Sequence, residues 1–231
     1  ADIVRTTELL PDGGLGTYSI SATNINLAYS KAFSNSIFGG FAFKSIVEGT
    51  SDVSAGGIAL DAGIQYITGN SDHIKFGIAL KNVGPTMVFD GDGISFRGNA
   101  PDNEYTMTLE HRTDAFELPS SLNIGGAYDF TIDQDNRITV AGNFTSNSFT
   151  KDQYGIGFEY AYQSYFMLRS GYVYEEGILE TETRTTAFTG FNAGFTFEVP
   201  LSSGTNFGLD FSYRQSSPLD SPVSIGARIT L

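Results

Sequence analysis

Few side chains in this sequence could carry out catalysis or hold a metal ion. His73 and His111 are the only histidines, neither lies in an HExxH motif, and no GxSxG nucleophile elbow occurs. The absence of cysteine excludes disulfides, thiol catalysis and cysteine-bound metals. The segment that starts at Asp90, Asp-Gly-Asp-Gly, resembles the start of a calcium loop, but the later Glu ligand is missing. The sequence therefore predicts no enzyme, no metal site and no cofactor.

The composition excludes further classes of protein. With 13 Lys+Arg against 26 Asp+Glu, the net charge is -13, and such a chain repels nucleic acid. Charged residues make up 17% and aromatic residues 13%, with 27 glycines. No apolar run approaches the ~18 residues of a membrane-spanning helix. This combination is typical of transmembrane β-barrels, and a soluble β-sandwich is the alternative.

Alternating side chains predict the strands that would position any functional group. In the segment 73–82 (HIKFGIALKN), Ile, Phe, Ile and Leu alternate with Lys, Gly, Ala and Lys. The same period predicts about eleven strands of roughly 9–13 residues, the length with which a tilted strand crosses a bilayer. They are expected at 23–33, 37–47, 58–66, 73–82, 122–130, 137–146, 154–162, 165–174, 191–198, 207–214 and 223–231. We therefore expect an all-β chain that forms a single domain over residues 1–231, a transmembrane antiparallel β-barrel.

Charged residues fall on the face of these strands that would line the barrel lumen. They are Asp61, Lys75, Lys81, Asp129, Glu159, Arg169, Asp210, Arg214 and Arg228. Because a charge inside a barrel needs a partner or water, one interpretation is a network of paired charges that fills the lumen. The other is a pathway for a solute.

The connections between the predicted strands alternate between short and long. Barrels of the bacterial outer membrane have short periplasmic turns and long external loops, which would place the carboxyl terminus in the periplasm. Such barrels have an even number of strands, whereas about eleven are predicted here. We therefore expect that about three strands precede this chain in a longer barrel.

Three segments resemble the PorV/PorQ family of FadL-like outer-membrane barrels, which belong to the type IX secretion system of Bacteroidota-type bacteria. They are 54–66 (SAGGIALDAGIQY), 74–85 (IKFGIALKNVGP) and 116–130 (FELPSSLNIGGAYDF). The resemblance implies a barrel of fourteen strands, which fits the predicted missing strands. It also implies a role in protein secretion without catalysis: binding the C-terminal signal domains of cargo, or scaffolding the translocon or the surface-attachment complex. The expected partners are outer-membrane lipids and secretion-system proteins. The alternative is a FadL-like channel for hydrophobic small molecules.

The long loop 84–118 is the preferred docking surface, together with 176–186. Met87, Phe89, Ile94 and Phe96 are apolar residues that a solvated loop has little reason to carry. They could bind a partner or fold back as a cap over the barrel mouth. The acidic run in the second loop is expected to be a solvated external segment. Its residues are Glu175, Glu176, Glu180 and Glu182.

Overall fold

The computed structural model describes most of the chain as β-structure. The described residues are 2–99, 105–163, 165–180, 182, 184, 186–201 and 205–230. They form strands β1 to β16 and one 3₁₀ turn at Asp92–Ile94. The strands are β1 (Asp2–Val4), β2 (Thr17–Ser19), β3 (Ser21–Ala32), β4 (Ile37–Gly49), β5 (Ser54–Thr68), β6 (Ile74–Val83), β7 (Phe89–Asp90), β8 (Ser95–Asn99), β9 (Thr106–Glu110), β10 (Ser121–Thr131), β11 (Asn136–Asn147), β12 (Gln153–Tyr162), β13 (Phe166–Glu175), β14 (Phe188–Pro200), β15 (Asn206–Ser216) and β16 (Val223–Thr230).

Most of these strands belong to one 12-stranded antiparallel sheet. Its order is β16-β15-β14-β13-β12-β11-β10-β6-β5-β4-β3, and β7 pairs with β5 beside this path. Strands that follow one another in the chain are neighbours in this order, except that β6 is followed by β10. The pairs β1-β2 and β8-β9 form two separate sheets. Strands β3 and β16 end the order and are exposed along their described length.

The prediction of an all-β chain with long antiparallel strands is confirmed. Every predicted segment coincides with one of β3–β6 or β10–β16. The predicted closure into a barrel is not confirmed, because the strand order among the described residues is open between β3 and β16.

Short polar turns join many of the long strands. Between β10 and β11, Asp133 Oδ1 accepts hydrogen bonds from the backbone N–H groups of Asp135 and Asn136, both at 2.8 Å. This arrangement lets an aspartate side chain replace part of the backbone hydrogen bonding of a turn. Between β5 and β6, Gly69 adopts a φ of 101° and Asp72 a φ of 55°. Glycine reaches the first of these angles without a steric penalty.

Large apolar side chains of the long strands are exposed rather than buried. Strand β12 shows the rule: its exposed positions alternate with more buried ones, and Ile156 and Phe158 are 50% and 49% exposed. The opposite side of the strand carries Gly155, Gly157 and Glu159. We call the two sides the apolar face and the polar face. A soluble sheet would bury the apolar face and expose the polar one, so the distribution here is reversed.

The described chain divides into two compact units. The first comprises Ala1–Tyr29, Phe41–Ala62 and Lys81–Pro119. It contains a small apolar core. The core residues are Ile46, Ala55, Ala59, Met87 and Leu118, with Phe89 and Phe116 packed against them.

The second unit comprises Ser30–Gly40, Gly63–Leu80 and Ser120–Leu231. Its strands pair over most of their length, and aromatic residues on the apolar face contact one another across neighbouring strands. The Phe195 ring stacks on Phe211 with 4.9 Å between centroids, and the Phe166 ring lies 5.0 Å from Phe197. Such aromatic pairs stabilise a sheet from side to side.

Candidate functional site

A row of polar side chains crosses the polar face of the second unit, and we call it the polar belt. Its members are Lys75 on β6, Asp129 on β10, Arg137 and Thr139 on β11, Glu159 on β12, Arg169 on β13, Thr196 on β14 and Asp210 on β15. The register of the strands produces this row. Asp129 stands opposite Thr139, which in turn stands opposite Glu159. Glu159 stands opposite Arg169 on the next strand.

One end of the polar belt is built around Asp129. Lys75 Nζ lies 2.6 Å from Asp129 Oδ2, and Thr139 Oγ1 donates a hydrogen bond to Asp129 Oδ1 at 2.7 Å. Lys75 and Asp129 are 54 positions apart in the sequence and meet because β6 is the sheet neighbour of β10. Both oxygens of this buried carboxylate are therefore occupied, as a charge removed from water requires.

The other end of the polar belt is built around Glu159. Its Oε1 accepts a hydrogen bond from Arg137 Nη2 at 2.9 Å, and its Oε2 accepts one from Arg169 Nε at 2.6 Å. Arg169 Nη1 also donates to Thr196 Oγ1 at 2.6 Å, and that hydroxyl donates to Asp210 Oδ1 at 2.5 Å. One chain of hydrogen bonds thus connects five neighbouring strands, β11 to β15.

The carboxylates of the polar belt lie deeper than the cations that pair with them. Side-chain exposure is 9% for Asp129 and 20% for Glu159, against 34% for Lys75, 42% for Arg137 and 44% for Arg169. Long cationic side chains thus extend over short acidic ones. Around Asp129 and Glu159 the accessible part of the belt is consequently cationic, although the chain as a whole carries a net charge of -13.

The predicted lumen charges outside the belt have varied surroundings. Arg228 pairs with Glu198, with 3.2 Å between Nη2 and Oε2. The guanidinium of Arg214 lies 3.7 Å from the ring centroid of Phe188, a cation–π contact. Lys81 is exposed on β6. The belt itself brings together five of the nine predicted lumen residues: Lys75, Asp129, Glu159, Arg169 and Asp210.

Asp61 belongs to a separate cluster in the first unit. Lys44 Nζ lies 2.6 Å from Asp61 Oδ2 and donates to Asn82 Oδ1 at 2.7 Å. The backbone N–H of Asn82 donates to Asp61 Oδ1 at 2.8 Å, and the Asn82 amide donates to the Pro119 carbonyl at 2.9 Å. The side chains of Lys44 and Asp61 are only 15% and 22% exposed. This ion pair is therefore largely covered.

The segment that follows β6 folds back into the core of the first unit. Met87 is 1% exposed, and its Sδ and Cγ occupy the space beside Gly57, where a Cβ would come within 2.8 and 2.6 Å of them. Two backbone hydrogen bonds join Met87 to Phe116, at 2.7 and 2.9 Å. Phe89 stacks on Phe116 with 5.2 Å between centroids. Met87 therefore belongs to the core of the first unit, and Phe89 packs against that core.

The strand pair β8-β9 carries the other predicted docking residues. Phe96 is 45% exposed and its ring lies 4.9 Å from that of His111. The backbone N–H of His111 donates to the carbonyl of Ile94, which is half-buried, at 3.0 Å. Beside the pair, the nearby carboxylate of Asp90 raises the pKa of Glu110 above its usual range. Of the four predicted docking residues, Phe96 is thus the most accessible.

The acidic segment after β13 differs from the expectation at one residue. Glu175 was expected in the solvated loop with Glu176, Glu180 and Glu182, but it is the last residue of β13 and is 1% exposed. The reason is its register opposite Gln153, whose Nε2 donates to Glu175 Oε2 at 2.8 Å. A strand end on the polar face can bury a carboxylate when an amide satisfies it.

Sequence reasoning missed Lys44, Arg137, Thr196 and Glu198 as partners of the charges it identified. Lys44 and Arg137 lie in 37–47 and 137–146, two of the four predicted strands with weaker alternation, the others being 23–33 and 165–174. Glu198 ends the predicted strand 191–198, two positions after Thr196 and therefore on the same face. A count of charges by strand face would have recovered all three charged residues, whereas Thr196 carries no charge that such a count could find.

Within the described residues no group of three or more His, Asp or Glu side chains is placed to hold a metal ion. Among those same residues, no helix has the length and apolar character needed to cross a membrane. Searches of protein-family models and of curated proteins find no match to this chain.

Proposed function

We propose that this chain is part of an outer-membrane β-barrel that serves protein secretion without catalysis. The observation that supports a membrane location is the reversed distribution of side chains. Large apolar residues are exposed on one face of strand after strand, while ion pairs fill the other. In a lipid bilayer the apolar face would be covered by acyl chains and the polar face would line the lumen.

Closure of the barrel belongs to the same proposal. The end strands β3 and β16 both leave a row of backbone hydrogen-bonding groups without a neighbouring strand in the described chain. Such edges are not tolerated within a bilayer, because nothing there can satisfy the free groups. About three further strands between β3 and β16 would close a barrel of about fourteen, the number that the PorV/PorQ resemblance implies, with an even count.

Support for the secretion role comes from the sequence resemblance and from how its most specific segments meet. The segments ALKNVGP and ELPSSLNIGG contact each other through the Asn82–Pro119 hydrogen bond, and the nearby Met87–Phe116 pair joins the chain just beyond them. The two segments thereby fix both ends of the long excursion between β6 and β10. That excursion carries the β8-β9 pair, and long loops held by a strand scaffold are where binding surfaces usually lie.

We further propose that the outer part of β8-β9 contacts cargo C-terminal domains or subunits of the secretion machinery. Exposed apolar residues there are Phe96, Tyr105 and Met107, of which Tyr105 is 78% exposed. Apolar and aromatic anchors ringed by polar residues supply most of the energy of protein–protein interfaces.

Labelling of cysteine variants on intact cells tests the barrel and its orientation. Glu176→Cys lies after β13 in a long connection, and Asn70→Cys lies in the short turn between β5 and β6. An impermeant maleimide should modify the first on intact cells and the second only after the outer membrane is opened. Labelling of the Asn70 position alone would invert the proposed orientation, and equal labelling of both would contradict a membrane-spanning barrel.

Shortening the β8-β9 pair tests the secretion role. Replacing residues 98–107 by Asn-Gly leaves Arg97 opposite Thr108 and closes them with a two-residue hairpin turn. Met87 and Phe89 are unchanged in this variant, so the barrel should insert and remain heat-modifiable. We expect cargo to be released unattached from cells that carry this variant.

The matched control for this experiment is Leu179→Ser, which removes an apolar residue that is also 78% exposed, from the 176–186 loop. It should leave attachment unchanged if β8-β9 is the docking surface. Normal attachment in an inserted, shortened barrel would contradict the proposed docking surface. A change in the uptake of a hydrophobic solute, with attachment unchanged, would instead favour a FadL-like channel.

A further inference from the structure

The polar face of the second unit contains a groove next to the polar belt. Its volume is about 480 Å³, and its lining includes Lys75, Arg137, Arg169, Asn143 and Asn192. Cavities that hold small-molecule ligands in proteins are of roughly 300–1,000 Å³, with a few convergent polar groups. The groove therefore has the size and the lining of a ligand site.

Residues without long side chains create the space. Ala141 on β11 stands opposite Gly157 on β12, and Gly157 stands opposite Gly171 on β13. At Gly157 a Cβ would meet only the Ser170 carbonyl oxygen, at 3.8 Å, so the space above this position is open. The polar belt lines one side of the groove. Its most exposed side chains there are Lys75, Arg137 and Arg169.

Hydrogen-bond donors are in excess along this side of the groove. Both oxygens of Asp129 and both oxygens of Glu159 already accept hydrogen bonds. Lys75 has three N–H donors and uses one of them on Asp129, and Arg137 uses Nη2 on Glu159. Arg137 Nε is shielded from solvent and meets no acceptor among the described residues. Three cations and two carboxylates line the groove itself, whereas the third carboxylate of the belt, Asp210, accepts from Thr196 and lies outside the lining.

We propose that this groove binds a small solute that carries a carboxylate, with Arg137 and Lys75 as its anchoring cations. A guanidinium presents paired donors that match the two oxygens of a carboxylate, and charge-assisted hydrogen bonds of this kind are the strong ones. The Asn143 and Asn192 amides face the same space and can bind polar groups elsewhere on the solute. The proposal concerns the second unit alone and does not depend on the secretion role.

The test compares succinate with succinamide, its neutral analogue of the same size, by titration calorimetry on the full chain folded in detergent micelles. We expect saturable binding of succinate and at least about tenfold weaker binding of succinamide, as the loss of a charge-assisted hydrogen bond predicts. Arg137→Gln should weaken succinate binding by a similar factor. This variant leaves Glu159 paired with Arg169, so it should fold.

Two glycine variants separate loss of the site from loss of charge. Gly157→Val fills the groove without removing a charged group and should abolish succinate binding. Gly226→Val is the matched control, because a Cβ there also meets a single atom, Asp210 Cβ at 3.8 Å, and Gly226 does not line the groove. It should bind succinate normally. Equal affinity for succinate and succinamide, or unchanged binding in Gly157→Val, would overturn the proposal.

Discussion

The two units of the molecule treat the same kind of polar strand face in opposite ways. In the first unit, Lys44 and Asp61 are both largely covered, and Asn82 satisfies what remains of their hydrogen-bonding capacity. In the second unit, Arg137 and Arg169 are exposed, and only the carboxylate of Glu159 between them is largely covered. The first unit contains the segment after β6, which supplies Met87 to its core. The ion pair on the polar face of the first unit is therefore covered, whereas the cations on the polar face of the second unit remain accessible.

The largest difference should appear when one acid is removed from each polar face. Asp61→Asn leaves the covered Lys44 without its charge partner and should cost about 3–5 kcal/mol, the usual penalty for a stranded buried charge. Glu159→Gln leaves two arginines that already reach solvent, and should cost about 1 kcal/mol. Urea unfolding of both variants in the same bilayer measures the two losses. Equal losses would show that burial does not distinguish the two faces.

A second comparison concerns exposed aromatic residues of the two units. Phe76, on the apolar face of β6, and Phe96, on β8, are 55% and 45% exposed. If the apolar face meets lipid, Phe76→Arg should destabilise the protein by about 2–4 kcal/mol in a bilayer. Phe96→Arg, outside the proposed membrane-spanning strands, should cost less than about 1 kcal/mol. Bilayer unfolding of both variants decides, and a similar cost for the two would contradict the assignment of the apolar face to lipid.

Two glycines on the polar faces provide a third comparison. Gly57→Val would drive a side chain into Met87 and should cost about 1–3 kcal/mol, as overpacked cores do. Gly157→Val enters open space and should change stability by less than about 0.5 kcal/mol. Gly56→Val is a control within β5, because no atom lies within 4 Å of a Cβ at that position. Thermal unfolding in micelles measures the stability of all three variants. Unchanged stability of Gly57→Val would mean that Met87 does not pack against Gly57.

The sequence was sufficient to predict the long strands because their signal is local. Each strand exposes one apolar and one polar face, so alternation reveals it without knowledge of its neighbours, as in β12. The short strands β7 to β9 were missed because they span only 2, 5 and 5 residues, too few for alternation to distinguish them from loop, and they depend on their partners. Phe89, for example, is in a strand only through its pairing with Ala55.

The candidate site was partly predictable for the same reason. Alternation alone placed Lys75, Asp129 and Glu159 on one face. The pairing of Lys75 with Asp129 could not be foreseen, since it depends on which strands are neighbours across the 84–118 excursion. The burial of these positions could not be predicted either. The sequence does not show that Met87 packs beside Gly57 whereas the space above Gly157 stays open.

The smallest expected effects are pH-dependent and have opposite signs in the two units. In the second unit, hydrogen bonds from the Asn136 side chain and from the N–H groups of Asp135 and Asn136 lower the pKa of Asp133. This stabilisation is present above the ordinary pKa of an aspartate and is lost as the pH falls through the lowered pKa. Asp133→Asn should therefore weaken the β10-β11 turn at neutral pH.

In the first unit, Asp90 raises the pKa of Glu110, so protonation of Glu110 favours the folded β8-β9 pair, which gains stability as the pH falls through the raised pKa. Glu110→Gln should therefore slow amide hydrogen exchange in β8-β9 at neutral pH, whereas Asp133→Asn should speed exchange at the β10-β11 turn. Both differences from the unmodified chain should shrink at about pH 3, where the carboxyl groups are largely protonated. Faster exchange in β8-β9 of Glu110→Gln at neutral pH would show that the carboxylates of Asp90 and Glu110 do not repel each other.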